Sequence, residues 1–266
     1  MKGRLVVNDN WLMEPYVTAE FTPEGISTIT FFHPSQNAMP GFLLRQLSQT
    51  IEETGENPAT KVIILQSGGD RTFCAGASFD ELAAIQNKDE GLTFFSGFAN
   101  VINACRKSPA IIVGRVQGKA VGGGVGLAAA VDYCFATQHA AIRLSELLIG
   151  IGPFVVGPAI ERKIGISAFS QLTLNASTIY SAAWAHEKGL YAEVFETTAA
   201  MDAAISTLAK SLAGYNPEAL QQLKKVFWEG TDHWETLLAE RAAISGRLVL
   251  SDFTRAAIRQ MKEKKG

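Results

Sequence analysis

The chain has 266 residues, 47% of them hydrophobic and 19% charged, enough for one large core or a main domain with a smaller appended part. Its 24 basic and 26 acidic residues leave a formal net charge of −2, which supplies no general attraction to nucleic acid or to an anionic membrane. The cysteines Cys74, Cys105 and Cys134 are odd in number, far apart and without paired metal-ligand spacing, so reduced thiols in a cytoplasmic protein, and no metal, are expected.

The opening residues hold no apolar core of signal-peptide length. The longest apolar region, LLIGIGPFVVGPAI from Leu147, is broken by glycine and proline and falls short of the roughly 20 residues a membrane span requires. A soluble protein with no membrane partner is therefore expected. Along the chain, residues 17–21 and 26–32 alternate like the two strands of a hairpin. Phe42, Leu43, Leu47 and Ile51 then recur at helical spacing and predict a helix over residues 40–53. KVIILQS, residues 61–67, reads as a buried strand, and Ser78 with Glu81 predicts a capping box at the start of a short helix.

An amphipathic helix over residues 91–106 and a strand over residues 109–116 follow. Repeated alternation of strand and helix argues for an α/β protein built from crossover units around a mainly parallel sheet. Gly122, Gly123 and Gly124 then turn the chain into the small-residue run LAAAVDY, expected to be helical, and AIRL, residues 141–144, predicts a short strand. Residues 151–165, rich in proline and glycine, are expected to form a loop over a pocket. From residue 167 the pattern turns helical, with segments at 182–188, 199–212 and 232–250, and Asn216 caps a helix that opens on Pro217.

Two kinds of group in this chain could carry chemistry. A helix that opens on glycine leaves backbone N–H groups uncovered and adds the positive end of the helix dipole, so an oxygen gaining negative charge could rest there. Such starts fall at Gly123 and near Ala77. The plainer reading of three glycines is a tight turn that lets a helix pack closely. A nucleotide loop is a third, but no Lys-Ser/Thr follows and no glycine-spaced dinucleotide fingerprint fits. Glu146 is the lone carboxylate after the glycine helix. Flanked by Leu144, Leu147, Leu148 and Ile149, it is a candidate acid/base, or else a structural cap or ion-pair partner. His33, His139, His186 and His233 read as surface or structural residues, Cys74 lacks a motif-paired base, and Phe94, Phe95 and Phe98 read first as core.

HPSQNAM, TFCAGASFDEL, VQGKAVGGGVGLAAAVDY, LSELLIGIGP and SAAWAHEKGLYAEVFE, in that order, resemble the motifs of the crotonase, or enoyl-CoA hydratase/isomerase, superfamily over nearly the whole chain. The resemblance implies a crotonase-like spiral of ββα units over residues 1–195 and a helical C-terminal region over 196–266 that builds a homotrimer or hexamer. It also implies an acyl-CoA substrate, with coenzyme A entering as part of the substrate and no separate cofactor. Ala77 and Gly123 fall on the positions whose N–H groups polarise the thioester carbonyl. Glu146 falls on a catalytic carboxylate, and Ala75, Gly76, Gly122, Gly124 and Pro153 fall on substrate-contacting positions.

Hydratases of that family use two glutamates, and this chain has Gly126 where the first would stand; Ser78 replaces a usual Asp. With one carboxylate, double-bond isomerisation of an enoyl-CoA is the expected reaction, because one base can carry a proton from the α to the γ carbon. Hydration by a rearranged site, decarboxylation through the same enolate, and a non-catalytic acyl-thioester binder are the alternatives.

Overall fold

The computed structural model describes residues 14–263; the opening residues, expected to hold no signal-peptide core, lie largely outside them. An antiparallel hairpin, β1 (Tyr16–Phe21) and β2 (Ile26–Phe32), opens the fold. It begins a six-stranded sheet in the order β1, β2, β4 (Val62–Ser67), β7 (Ile111–Val116), β9 (Tyr133–Thr137), β11 (Glu193–Phe195), parallel from β2 onward. Between these strands lie shorter ones: β3 (Ala38–Met39), β5 (Thr72–Cys74), β6 (Gly76–Ala77), β8 (Lys119–Val121) and β10 (Ile142–Arg143). The helices of this half are α1 (Gly41–Glu56), α2 (Phe79–Ala84), α3 (Lys88–Lys107), α4 (Gly123–Ala130) and α5 (Gly157–Leu174).

The chain thus repeats one plan, in which a strand of the large sheet is followed by a short strand outside it and then by a helix. β2–β3–α1, β7–β8–α4 and β9–β10–α5 are three instances, and β4–β5–β6 leads likewise into α2 and α3. The short strands pair among themselves, β5, β8 and β10 as a parallel trio and β3 with β6.

Successive side chains of a strand face opposite ways, and here both faces are covered. Ile29, Phe31, Ile63, Leu65 and Ile112 enter the larger core with α1, α3, α4 and α5. Ile26, Val62, Ile111 and Val113 enter a second core against α7 (Thr198–Gly214) and α8 (Pro217–Phe227), supplied by Met201, Ile205, Ala209, Ala213 and Leu220. The remaining helices are α6 (Ala182–Glu187), α9 (Trp234–Leu248) and α10 (Asp252–Glu263). Residues after 195 therefore cover one face of the sheet through α7 and α8, while α9 lies along α3. The α9 crossing is close because two glycines meet: a Cβ on Gly91 would fall 2.7 Å from the Cα of Gly246.

Several local expectations are corrected. The glycine-led helix stops at Ala130, and Tyr133 already belongs to β9. The predicted loop over residues 151–165 ends at Val156, where α5 begins with Pro158 in its first turn; the left-handed Gly165, φ +73°, interrupts the helix and masks its pattern in sequence. The capping box forms by half. Ser78 Oγ accepts the Glu81 N–H, but the Glu81 carboxylate accepts the Gly41 N–H at 2.6 Å and so caps α1. The Ser78 N–H donates to Met39 O instead.

Candidate active site

The parallel strands β5, β8 and β10 run side by side, so their C-terminal ends deliver three loops to one place, the edge at which parallel sheets usually bind ligands. From β5 comes the Ala75–Ala77 segment, from β8 the Gly122–Gly123 turn, and from β10 Ser145 and Glu146. A cavity of about 110 Å³ lies among them, also lined by Phe79, Leu82, Phe95, Phe98, Ile149, Pro153, Phe154, Val155, Val156 and Ser245. All the sequence-predicted site residues line it except Gly124, which is buried behind the wall, where a Cβ would fall 2.4 Å from Cys74 O.

Two backbone N–H groups face this cavity for different reasons. Gly122 adopts φ +54°, ψ −120°, a conformation for glycine, and swings the chain from β8 into α4. Val125 donates to Gly122 O, so the N–H of Gly123 lies ahead of the helix's own hydrogen bonds, at the positive end of its dipole. The second group sits on β6. Ser78 donates to Met39 O of β3, and neighbouring N–H groups of a strand point opposite ways, which turns the Ala77 N–H to the other side. The donor expected from a helix start at Ala77 is thus a strand donor, α2 beginning only at Phe79. The two segments abut: a Cβ on Gly76 would lie 3.3 Å from Gly123 N.

Glu146 opens a short 3-10 turn, Glu146–Ile149, after β10. Because β10 and β8 are parallel neighbours, with Gly122 N–H donating to Arg143 O at 2.8 Å, the carboxylate emerges beside the glycine turn. A Cβ placed on Gly122 would sit 3.1 Å from Glu146 Oε1. Oε2 is buried without a hydrogen-bond partner, and burial raises the carboxyl to about 7, against weaker lowering by the backbone at Glu146 and Ser145. The apolar surroundings differ from those expected: Leu147 and Leu148 turn outward and are exposed, while Ile149, Phe98, Val155 and Val156 line the cavity. Among the described residues, Glu146 is the only ionisable group on the lining. Cys74 is fully buried and its thiol is pushed up to about 12, which leaves no thiolate for nucleophilic attack at neutral pH. A buried carboxylate poised near neutrality beside two converging backbone donors can move a proton at a carbon next to a carbonyl whose oxygen those donors polarise.

The sequence profile of the enoyl-CoA hydratase/isomerase family matches residues 22–264. The chain belongs to that family. Ethylmalonyl-CoA decarboxylase of Xenopus tropicalis is 32% identical over 130 residues, 48% of this chain and 43% of that protein, so the chain spans less than half of that relative's length. The peroxisomal Delta(3,5)-Delta(2,4)-dienoyl-CoA isomerase of Arabidopsis thaliana is 25% identical over 95% of this chain and 97% of its own. The crystal structure of an enoyl-CoA hydratase from Bacillus halodurans superposes with a TM-score of 0.85 at 20% identity, over 92% of this chain and 99% of that one, a likeness of fold.

Within the family frame, position 126 is the informative departure, and its surroundings explain more than the substitution itself. A Cβ on Gly126 would fall 2.4 Å from Val156 Cγ1 and 2.6 Å from Val156 Cβ. Val156, from the loop before α5, fills the space that any side chain at 126 would need. Gly126→Ala is therefore expected to lower stability by about 1–3 kcal/mol, the usual cost of overpacking. Adding Val156→Ala should recover part of that loss, read from urea midpoints of the two single variants and the double variant. Val155 and Val156 line the site from the part of the expected pocket loop that does form, before α5, whereas Ser245 reaches it from α9 with no local sign in the sequence.

No helix among the described residues is long and apolar enough to cross a membrane, and all three cysteines are free and buried.

Proposed function

We propose that this protein shifts the double bond of an enoyl-CoA through an enolate, with Glu146 as the single proton carrier and the N–H groups of Ala77 and Gly123 as the oxyanion donors. The carrying observation is one buried carboxylate, its Oε2 without a hydrogen-bond partner, on a lining that holds no other ionisable group among the described residues. Glu146 takes a proton from the α carbon of a 3-enoyl thioester, and the electron pair flows to the carbonyl oxygen held by the two donors. The same carboxyl returns the proton to the γ carbon, so the double bond moves from the 3,4 to the 2,3 position and no atom is gained or lost. Losing one such donor typically costs about 3–4 kcal/mol of barrier.

Two-carboxylate hydration is disfavoured because the 126 position is closed by Val156. The test presents trans-3-enoyl-CoA and trans-2-enoyl-CoA in heavy water and reads products by mass spectrometry. Migration of the double bond with deuterium at the α or γ carbon is the expected result. Rapid addition of water to the 2-enoyl substrate would overturn the isomerase assignment, and loss of carbon dioxide from a 2-carboxyacyl-CoA would redirect it to decarboxylation.

Assembly into a trimer or hexamer belongs to the same proposal. It is supported by apolar side chains left exposed on the C-terminal helices, among them Val226, Phe227 and Phe253, and sedimentation equilibrium reads it directly.

A further inference from the structure

We infer that the cavity selects acyl groups of about four to five carbons, by the scale on which a 150 Å³ apolar cavity holds one benzene, and that it rejects acyl groups carrying a second carboxylate. The inference rests on the enolate reading above and concerns what that chemistry is done to. At about 110 Å³ the cavity is smaller than that benzene-sized reference.

Its inner wall is packed against neighbouring elements on each side. Phe98 lies against the glycine helix, its Cε1 2.2 Å from where a Cβ of Gly123 would stand, and Phe95 packs edge-on to Phe94 at 5.3 Å between ring centroids. Opposite, Val156 is held against Gly126, and Ser245 closes the end from α9, whose seat on α3 is fixed by the contact of Gly91 with Gly246. Phe95, Phe98, Val156 and Ser245 are each 9% exposed or less, so a longer chain must displace packed side chains to pass them.

Charge makes the second half of the argument. The lining holds no lysine, arginine or histidine among the described residues, and its one charged group is Glu146, whose carboxyl must itself ionise to act. A distal carboxylate on the acyl group would bring a second negative charge into the same apolar space with no cation to meet it, a cost that a neutral chain avoids.

The test measures kcat/KM for 3-butenoyl-, trans-3-hexenoyl- and trans-3-decenoyl-CoA and for the 3-enoyl isomer of glutaconyl-CoA, and by calorimetry the Kd of the unreactive butyryl-, decanoyl- and succinyl-CoA. The decenoyl and glutaconyl substrates are expected to fall at least 100-fold below butenoyl, and the unreactive series to follow the same order in Kd. Phe95→Leu, or Phe95→Ala where it folds, should raise the decenoyl-to-butenoyl ratio of kcat/KM about tenfold by opening the inner wall. Rates for decenoyl-CoA within threefold of butenoyl-CoA, or a preference for the glutaconyl isomer, would overturn the inference while leaving the enolate reading intact. If no 3-enoyl-CoA reacts, the enolate reading fails and the binding series alone decides selectivity.

Discussion

Glu146→Gln is expected to lower kcat/KM for double-bond migration by about 10²–10⁴-fold, the range for removing a positioned general base. Glutamine keeps the shape and the packing but cannot take a proton, so Kd for an unreactive acyl-CoA should change little. For the unsubstituted protein, log kcat/KM should rise with unit slope to about pH 7 and then level off, because the free carboxyl must be ionised to start the reaction and sits at about 7. A second, descending limb is not expected, since no other ionisable group lines the cavity among the described residues.

The same substitution should make the protein more stable above neutrality. Below pH 4.5 the carboxyl is protonated in both the folded and the unfolded chain and contributes no difference. As pH rises from 4.5 to about 7 the unfolded chain ionises first while the buried group resists, so the native protein loses stability, and above pH 7 the full cost is present. The gap corresponds to about 3 kcal/mol, which Glu146→Gln should recover at pH 8 and not at pH 4. Urea denaturation of the two proteins at both pH values checks this. A carboxylate buried against its solvation preference is the kind of stability cost that is retained for function. Equal stability at pH 8 would mean that Glu146 is paired or hydrated, and with that the base assignment would lose its physical support.

Asp132→Ala is expected to have the largest effect on folding, about 3–5 kcal/mol, the range for removing one member of a buried ion pair. Asp132 follows α4, and its side chain is 3% exposed. Oδ2 accepts from Lys224 Nζ at 2.6 Å and from the Ile112 N–H at 2.8 Å, while Oδ1 accepts from Trp228 Nε1 at 2.8 Å. One carboxylate thus ties β7 and the end of α4 to α8 and the residue that follows it. Its loss leaves the Lys224 ammonium, 4% exposed, buried without a counter-charge. Replacing Asp132 and Lys224 together by apolar residues should cost less than Asp132→Ala alone, which a double-mutant cycle in urea reads directly. Well below its unfolding midpoint the Asp132 variant should keep kcat within a few-fold of the parent, because the residue fastens α4 at the end away from Gly123. A loss of kcat as deep as that of Glu146→Gln would show that the network reaches the chemistry.

The sequence by itself determined the long elements. Helix α1 was legible from Phe42, Leu43, Leu47 and Ile51, and β4 from its apolar run, because periodicity reports which face of an element is apolar. It also marked Gly123 and Glu146, since a glycine-led helix and a lone carboxylate are local features. Only the tertiary structure decided what those faces meet. Strands β3, β5, β6, β8 and β10 are two or three residues long, too short to carry a period on their own; β10 alone was expected, and together they aim the site loops. Glu81 left its expected cap for Gly41, forty residues away, because the Ser78 N–H is taken by Met39 O and the Gly41 N–H at the start of α1 has no partner within its own helix. Leu147 and Leu148 flank Glu146 in sequence yet face outward, whereas Phe95, Val156 and Ser245 enclose the cavity from far along the chain. The glycine at 126 was plain from the sequence as a missing carboxylate. That Val156 occupies its place follows from a contact thirty residues apart, which no local pattern encodes.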